Sequence, residues 1–407
     1  MKPRQITAIF LIVIALILLW IALDPMGSQI LRMLAHRATS DGPYAQRDWS
    51  ESGGQGESKI SVFIFRDRNR NGQYDPLDLP MASVGVQVQR PDRTERMRSS
   101  NINGYANFSM DYHGTESDIS QVDQPHAFRV LIPPDFEVTT NNVGQQTTFR
   151  HLPGAISDII ANDPPTVIGL APKLTVTGRV DIPPIAPSTT RLTVVKPDGT
   201  SFDVTTDNKG VFEFEAMPGE WAIITKNDEE GEVNKRKFKV LDVPVRLSKI
   251  TIGLSLLEKD TAKVTEDFEY LHRADIDKIP NGHAGLNWNY LLAIDNQLYR
   301  GPGYVNTLTS GRAVAYNSSG HPVTISVMPD EQFDFLGAYF GVAWPAAEGE
   351  SLVVEAWRGA ELVGREVLKL SHLGPVWFEA DYRGIDKLTL STEHYWQFVM
   401  DDMLFRR

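Results

Sequence analysis

Between residues 67 and 78, side-chain oxygens recur at a regular spacing. Asp67, Asn69 and Asn71 stand at positions one, three and five of a twelve-residue run, Gly72 at six, Gln73 at seven, Asp75 at nine and Asp78 at twelve. Calcium takes about six to eight oxygen ligands, and this spacing aims carboxylate, amide and one backbone oxygen (that of Gln73) at a common centre. Gly72 permits the sharp turn such a loop needs. The chemistry implied is metal binding. Asp78 is shorter than the Glu that would bring two oxygens to that position. A solvated Asp/Asn turn is the other reading of the same residues.

A second set of acids lies far apart in sequence. Asp267 and Glu269 open the last third of the chain, and Asp401 and Asp402 close it. Strands that begin and end a jelly roll often pair, which would bring the four together. Like charges that close require a cation or protonation. The alternative is a set of strand carboxylates facing solvent.

The same third carries five of the eight Trp: Trp288, Trp344, Trp357, Trp377 and Trp396. Indole faces stack on sugar rings, and Asn287, Asn289 and Asn317 could take the hydroxyls. Trp288, Trp344 and Trp357 are the candidate ligand-binding residues; filling a sandwich core is the competing role for each. No nucleophile elbow, zinc-protease helix or nucleotide-binding glycine loop occurs, and the nine His are scattered. A non-catalytic protein is expected. Acids are abundant, so a carboxylate pair suited to glycoside hydrolysis stays open as an alternative.

The chain that must position these residues has 407 residues, room for about two to four domains. It is 42% hydrophobic and 23% charged, a globular composition. The net charge of -12 argues against a general nucleic-acid binder. The absence of Cys excludes disulfides and thiolate metal sites.

Residues 6–23, "ITAIFLIVIALILLWIAL", carry no charge and follow Lys2 and Arg4. They are long enough to span a bilayer, and "DPMGSQ" after Leu23 is a poor match to a small-x-small cleavage site. The expectation is an uncleaved signal anchor with residues 1–5 in the cytoplasm and the bulk of the chain periplasmic or extracellular. Arg32 and Arg37 on the far side weaken that polarity. Residues 24–57 read as a linker, because their later part is rich in Gly, Ser and acids.

Beyond the linker, short alternating runs such as "KISVFIF", "VGVQVQ", "RLTVV", "VFEFEA" and "SLVVEAW" are separated by turns such as "NRNG", "NING", "PDG" and "DNKG". This predicts an all-β fold of three tandem β-sandwich domains, residues 58–172, 173–256 and 257–407, behind the transmembrane helix. The flanks of the 67–78 loop are strand-like, so it is not a helical calcium hand.

The first of these regions resembles a known family. "VFIFRDRNRNGQYDPLDLPMASVGVQVQ", "NINGYANF" and "IPPDFEVTTNN" are similar to the B-type (SD-repeat, Cna-B-like) domains of bacterial surface adhesins. That likeness implies a prealbumin-like sandwich used as a calcium-stiffened spacer. Some Cna-B domains carry a Lys–Asn isopeptide bond, for which Lys59 with Asn141 or Asn142 would serve; a surface lysine ahead of a strand is the simpler reading. "RLTVVKPDGTSFDVTTDNKGVFEFEAMPGEWAII" resembles a carboxypeptidase-regulatory or Cna-B-like module, implying a spacer.

From "EDFEYL" to "FVMDDMLF", the last region resembles the jelly-roll, carbohydrate-binding-module-like domains of exported Gram-negative proteins, some with a PEP-CTERM sorting tail. No such motif stands before Arg407. The likeness implies a structural calcium among Asp267, Glu269, Asp401 and Asp402. The expected function is an adhesion or scaffold protein with a calcium-stiffened stalk and a C-terminal binding head, whose partner is a glycan or a cell-surface protein. A glycan-binding protein for cell-wall or exopolysaccharide is the first alternative, and a hydrolase the second.

Overall fold

The structure is a computed structural model that describes residues 58–89, 95–110, 126–141, 146–147, 150–151, 160–161, 165–180, 189–226, 233–250, 262–269, 276–296 and 301–407. Strands dominate these residues, as the alternating runs predict. The expected single-pass membrane placement is corrected. Among the described residues no helix is long and apolar enough to cross a membrane, and the α-helix Pro302–Thr307 has six residues. The described apolar residues are spent in short strands that bury them against one another. Residues 6–23, which carried that expectation, lie outside the described residues, as does the linker 24–57.

The chain divides into two compact units. The first holds, among the described residues, most of the chain up to residue 169. The second holds two short inserts, Pro80–Val84 and Ile132–Val138, and everything from Leu170 onward.

In the first unit, strand Ser58–Arg66 pairs antiparallel with Tyr105–Met110, from Phe63↔Tyr105 to Ser58↔Met110. It also pairs parallel with Ile160–Ala161 through Lys59↔Ala161. A second sheet runs in the order Glu95–Ser99, Gly85–Gln89, His126–Leu131, Gln146–Thr147. Val62, Phe63, Ile64 and Phe65 are wholly buried, so the strand is covered on both faces. Tyr74, from the 67–78 loop, sets its ring 4.9 Å from Phe63 and 5.3 Å from Phe65, which anchors the loop in this core. The Lys59 side chain and Asn142 lie outside the described residues, so the isopeptide pairing does too.

The second unit is built on one ten-stranded sheet. Its order is Val211–Glu215, Thr175–Arg179, Val245–Leu247, Val376–Ile385, Phe333–Val342, Phe398–Arg406, Ala313–Asn317, Leu291–Asp295, Ile276–Lys278, with Val264–Glu266 also on Phe398–Arg406. A four-stranded sheet (Ser201–Thr205, Arg191–Val195, Gly219–Lys226, Val233–Val240) shares a core with one end of it. There Val176, Phe212 and Val245 meet Leu192, Trp221 and Phe238. A five-stranded sheet (Asn287–Asn289, Val323–Ser326, Lys387–Thr392, Ser351–Arg358, Glu361–Lys369) shares a core with the other end. There Phe340, Phe378 and Phe398 meet Ile325, Leu352 and Leu390. The two sandwiches are joined by the parallel pairs Val245↔Trp377, Arg246↔Phe378 and Leu247↔Glu379.

Candidate functional site

The 67–78 loop folds around its own polar side chains. Asp67 Oδ1 accepts the Asn71 N–H at 3.2 Å, and Oδ2 that of Gly72 at 2.8 Å. Asn69 Oδ1 accepts from Asn71 N at 3.0 Å and Asn71 Oδ1 from Gln73 N at 2.7 Å, two Asx turns in succession. Asp78 closes the loop, its two oxygens taking Arg68 N and Asp75 N, each at 2.9 Å. Asp75 Oδ2 receives the amide groups of Asn69 at 2.5 Å and Asn71 at 3.1 Å. The chain turns through left-handed backbone at Arg70, φ 59°, and Gly72, φ 73°. A Cβ at Gly72 would stand 2.8 Å from the Thr139 carbonyl oxygen, so glycine is needed there for space as well as conformation.

The loop therefore brings Asp67, Asn69, Asn71, Asp75 and Asp78 into one network, with Gln73 contributing its backbone N–H. Asp67 and Asp78 are buried. Burial pushes the Asp78 carboxyl up to about 6, aided by the charges of Asp75 and Asp67 and opposed by its two backbone hydrogen bonds. Each oxygen that accepts one N–H keeps a second lone pair. In number and kind these donors fit calcium.

Strand Val264–Glu266 pairs antiparallel with Phe398–Arg406, through Val264↔Phe405 and Glu266↔Met403. This brings three of the distant acids, Glu269, Asp401 and Asp402, to one segment, residues 309–313. Asp401, wholly buried, accepts at Oδ2 from Thr309 N (2.7 Å), Thr309 Oγ1 (2.8 Å) and Ser310 N (3.2 Å). Asp402 accepts from Thr309 Oγ1 at 3.0 Å and Ser310 Oγ at 2.7 Å. Glu269 Oε1 takes Arg312 N at 2.5 Å and Ala313 N at 2.7 Å. Asp267 accepts from the Glu269 N–H at 3.1 Å. Burial, and then the charge of Asp402, hold the Asp401 carboxyl well above the usual range.

The three Trp fare differently. Trp288 is 1% exposed, donates its indole N–H to the His283 carbonyl and sets its ring edge-on to Phe268. This corrects its candidacy as a sugar platform: it is core, because its strand Asn287–Asn289 turns the side chain inward. Trp344 is half-buried, donates to Gln397 Oε1 at 2.8 Å and packs edge-on to Tyr304. Trp357 is half-buried beneath the Lys387 ammonium, 5.0 Å from its ring centre.

The exposed rings are others. Tyr290, Tyr395 and Trp396 are 49%, 72% and 37% exposed. Tyr290 and Tyr395 sit in left-handed backbone, φ 60° and 59°. Tyr290 faces the His321 ring at 5.0 Å. The turns carrying these residues meet at Asn317, which is fully buried; its amide donates to the carbonyls of His321 (3.1 Å) and Trp396 (3.4 Å) and its Oδ1 accepts from Phe398 N (2.7 Å). A Cβ at Gly320 would collide with the Tyr395 carbonyl, so the two turns touch backbone to backbone. These rings lie in turns, where no periodicity marks which side faces water. The consecutive aromatics Tyr395 and Trp396 beside Pro-free turn residues were the one sequence signal available.

No protein-family model and no curated protein matches the chain. Among solved structures, the K2 cleaved adhesin domain of Lys-gingipain is 15% identical over 36% of this chain and 100% of its own, with a TM-score of 0.23. A streptococcal ancillary pilin is 12% identical over 45% of this chain and 58% of its own, TM-score 0.21. A carbohydrate-binding module in complex with β-1,4-galactotriose is 14% identical over 31% of this chain and 95% of its own, TM-score 0.21. Likeness at this level carries no argument about activity or ligand.

Proposed function

We propose that the chain is a non-catalytic adhesion or scaffold protein whose first unit is stiffened by calcium in the 67–78 loop. One observation carries this reading: five oxygen-bearing side chains spaced along twelve residues converge in a single network, with two of its carboxylates buried. Asp67, Asn69, Asn71, Asp75 and Asp78 would hold the ion with the Gln73 carbonyl, and the Asn69 and Asn71 amides would turn their oxygens toward it. Calcium titration calorimetry of the full chain tests the reading. Asp75→Ala is expected to remove the strongest binding event. Calcium uptake that is the same with and without Asp75 would sink it.

A second calcium held by Asp401 and Asp402, with Glu269 on the same segment, is the corresponding reading for the second unit, because the two neighbouring carboxylates converge on one hydroxyl; Asp267 would join it only by a rearrangement.

A glycan-binding role for the second unit is favoured by a separate observation, the exposed rings of Tyr290, Tyr395 and Trp396 on turns fixed by Asn317. Ring faces presented on rigid backbone bind with little ordering cost. Retention on immobilised polysaccharides tests it: the double change Tyr395→Ala, Trp396→Ala should abolish retention, and Trp288→Phe should not. No retention of the unaltered chain on any polysaccharide would end this reading.

A further inference from the structure

Glu350 is a buried carboxylate. Its side chain is 2% exposed. Oε1 accepts the N–H groups of Ser351 at 2.8 Å and Glu393 at 3.1 Å, which fixes the group from two turns at once. Those turns flank the paired strands Ser351–Arg358 and Lys387–Thr392, in register at Leu352↔Thr392. Among the described residues its ion-pair partner is His394, whose Nδ1 stands 3.1 Å from Oε2 and 3.3 Å from Oε1. Lys369 lies close by, but its ammonium donates to Ser351 Oγ at 2.8 Å and the Gly349 carbonyl at 3.3 Å. Burying a carboxylate is costly unless it is paired or holds a cation.

The third member is Glu393. Among the described residues, Glu350, Glu393 and His394 are the trio whose ligand atoms all lie within 4.8 Å of one another. We infer that Glu350, Glu393 and His394 form a binding site for a divalent transition ion of the zinc type, separate from the oxygen-rich loops described above.

The donor set decides the class of ion. Two carboxylate oxygens and one imidazole nitrogen suit zinc and its neighbours, whereas calcium and magnesium take oxygen throughout. Zinc holds such ligands at about 2.0–2.2 Å in tetrahedral geometry, so two of them on one ion stand about 3.3–3.6 Å apart. The 3.1 Å between His394 Nδ1 and Glu350 Oε2 is a few tenths of an ångström short of that interval, a gap that a small turn of the exposed His394 ring closes. Ligation through Nδ1 places the remaining ring proton on Nε2. His394 and Glu393 are exposed, which gives the ion a way in and leaves a coordination position for water. A bound ion would tie the Glu350 turn to the turn that continues into Tyr395 and Trp396. The inference stands independently of the calcium and glycan readings.

Zinc titration of the full chain against a chromophoric chelator, with calcium saturating, tests it. The unaltered chain should take up zinc at a site that His394→Ala weakens about tenfold or more. His394 is exposed, so this variant is expected to fold. Glu350→Gln, which keeps an acceptor for both backbone N–H groups, should weaken it similarly, and Asp67→Ala should leave it unchanged. Cobalt in place of zinc should give visible absorption bands that vanish in His394→Ala. Zinc uptake that is indifferent to His394, or no zinc uptake at all, overturns the inference and leaves Glu350 and His394 as an ion pair only.

Discussion

Asp401 and Asp402, neighbours in one strand, both set a carboxylate oxygen against the hydroxyl of Thr309, at 2.8 and 3.0 Å. One hydroxyl carries one proton and can donate to only one of them. The second contact needs a proton on a carboxyl or a cation between the pair. Burial and the Asp402 charge raise the Asp401 pKa to about 8 from an ordinary value of 3.8.

A pH dependence follows from that pair. Where the folded-state pKa of an acid is raised, the folded chain binds the extra proton between the unfolded and folded values, and stability falls as pH rises through that window. Without divalent ions, unfolding by urea should therefore show the second unit less stable at pH 8 than at pH 5. Asp402→Asn should flatten the slope. A slope equal in the variant and the unaltered chain contradicts the coupling.

Gly72 is the loop residue least open to change. Its φ of 73° is unfavourable for an L side chain, and a Cβ would press on the Thr139 carbonyl. Gly72→Ala should destabilise the first unit by about 1–3 kcal/mol. Thermal unfolding measures this; an unchanged transition would show that the loop is not held against Thr139.

Arg236 should be a keystone of the second unit. Its guanidinium donates to the Ser248 carbonyl at 2.9 Å, to Ser248 Oγ at 3.1 Å and to the Glu379 carbonyl at 2.9 Å. It thus ties the four-stranded sheet to the place where the two sandwiches share strands. Arg236→Met would strand these acceptors and should cost about 2–4 kcal/mol. A urea midpoint that does not move would contradict this role.

The strands and the 67–78 loop were legible because their signals are local. Alternation marks each strand, and oxygens two residues apart mark the loop. The junction at Val245↔Trp377 was not, because a parallel pair 132 residues apart leaves no local trace. Glu350 and His394 escaped notice for the same reason, being 44 residues apart and joined only by strand register. Trp288 misled because composition cannot tell a core indole from a surface one.

Whether calcium braces the 67–78 loop is read from thermal unfolding of the full chain in calcium and in EGTA, beside Asp67→Ala. A ligand that binds only the folded state stabilises it by about 2.7 kcal/mol at a hundredfold excess over its dissociation constant. Calcium is expected to raise the melting temperature of the first unit, and Asp67→Ala to remove the rise. A melting temperature of that unit that is the same in millimolar calcium and in EGTA would contradict it.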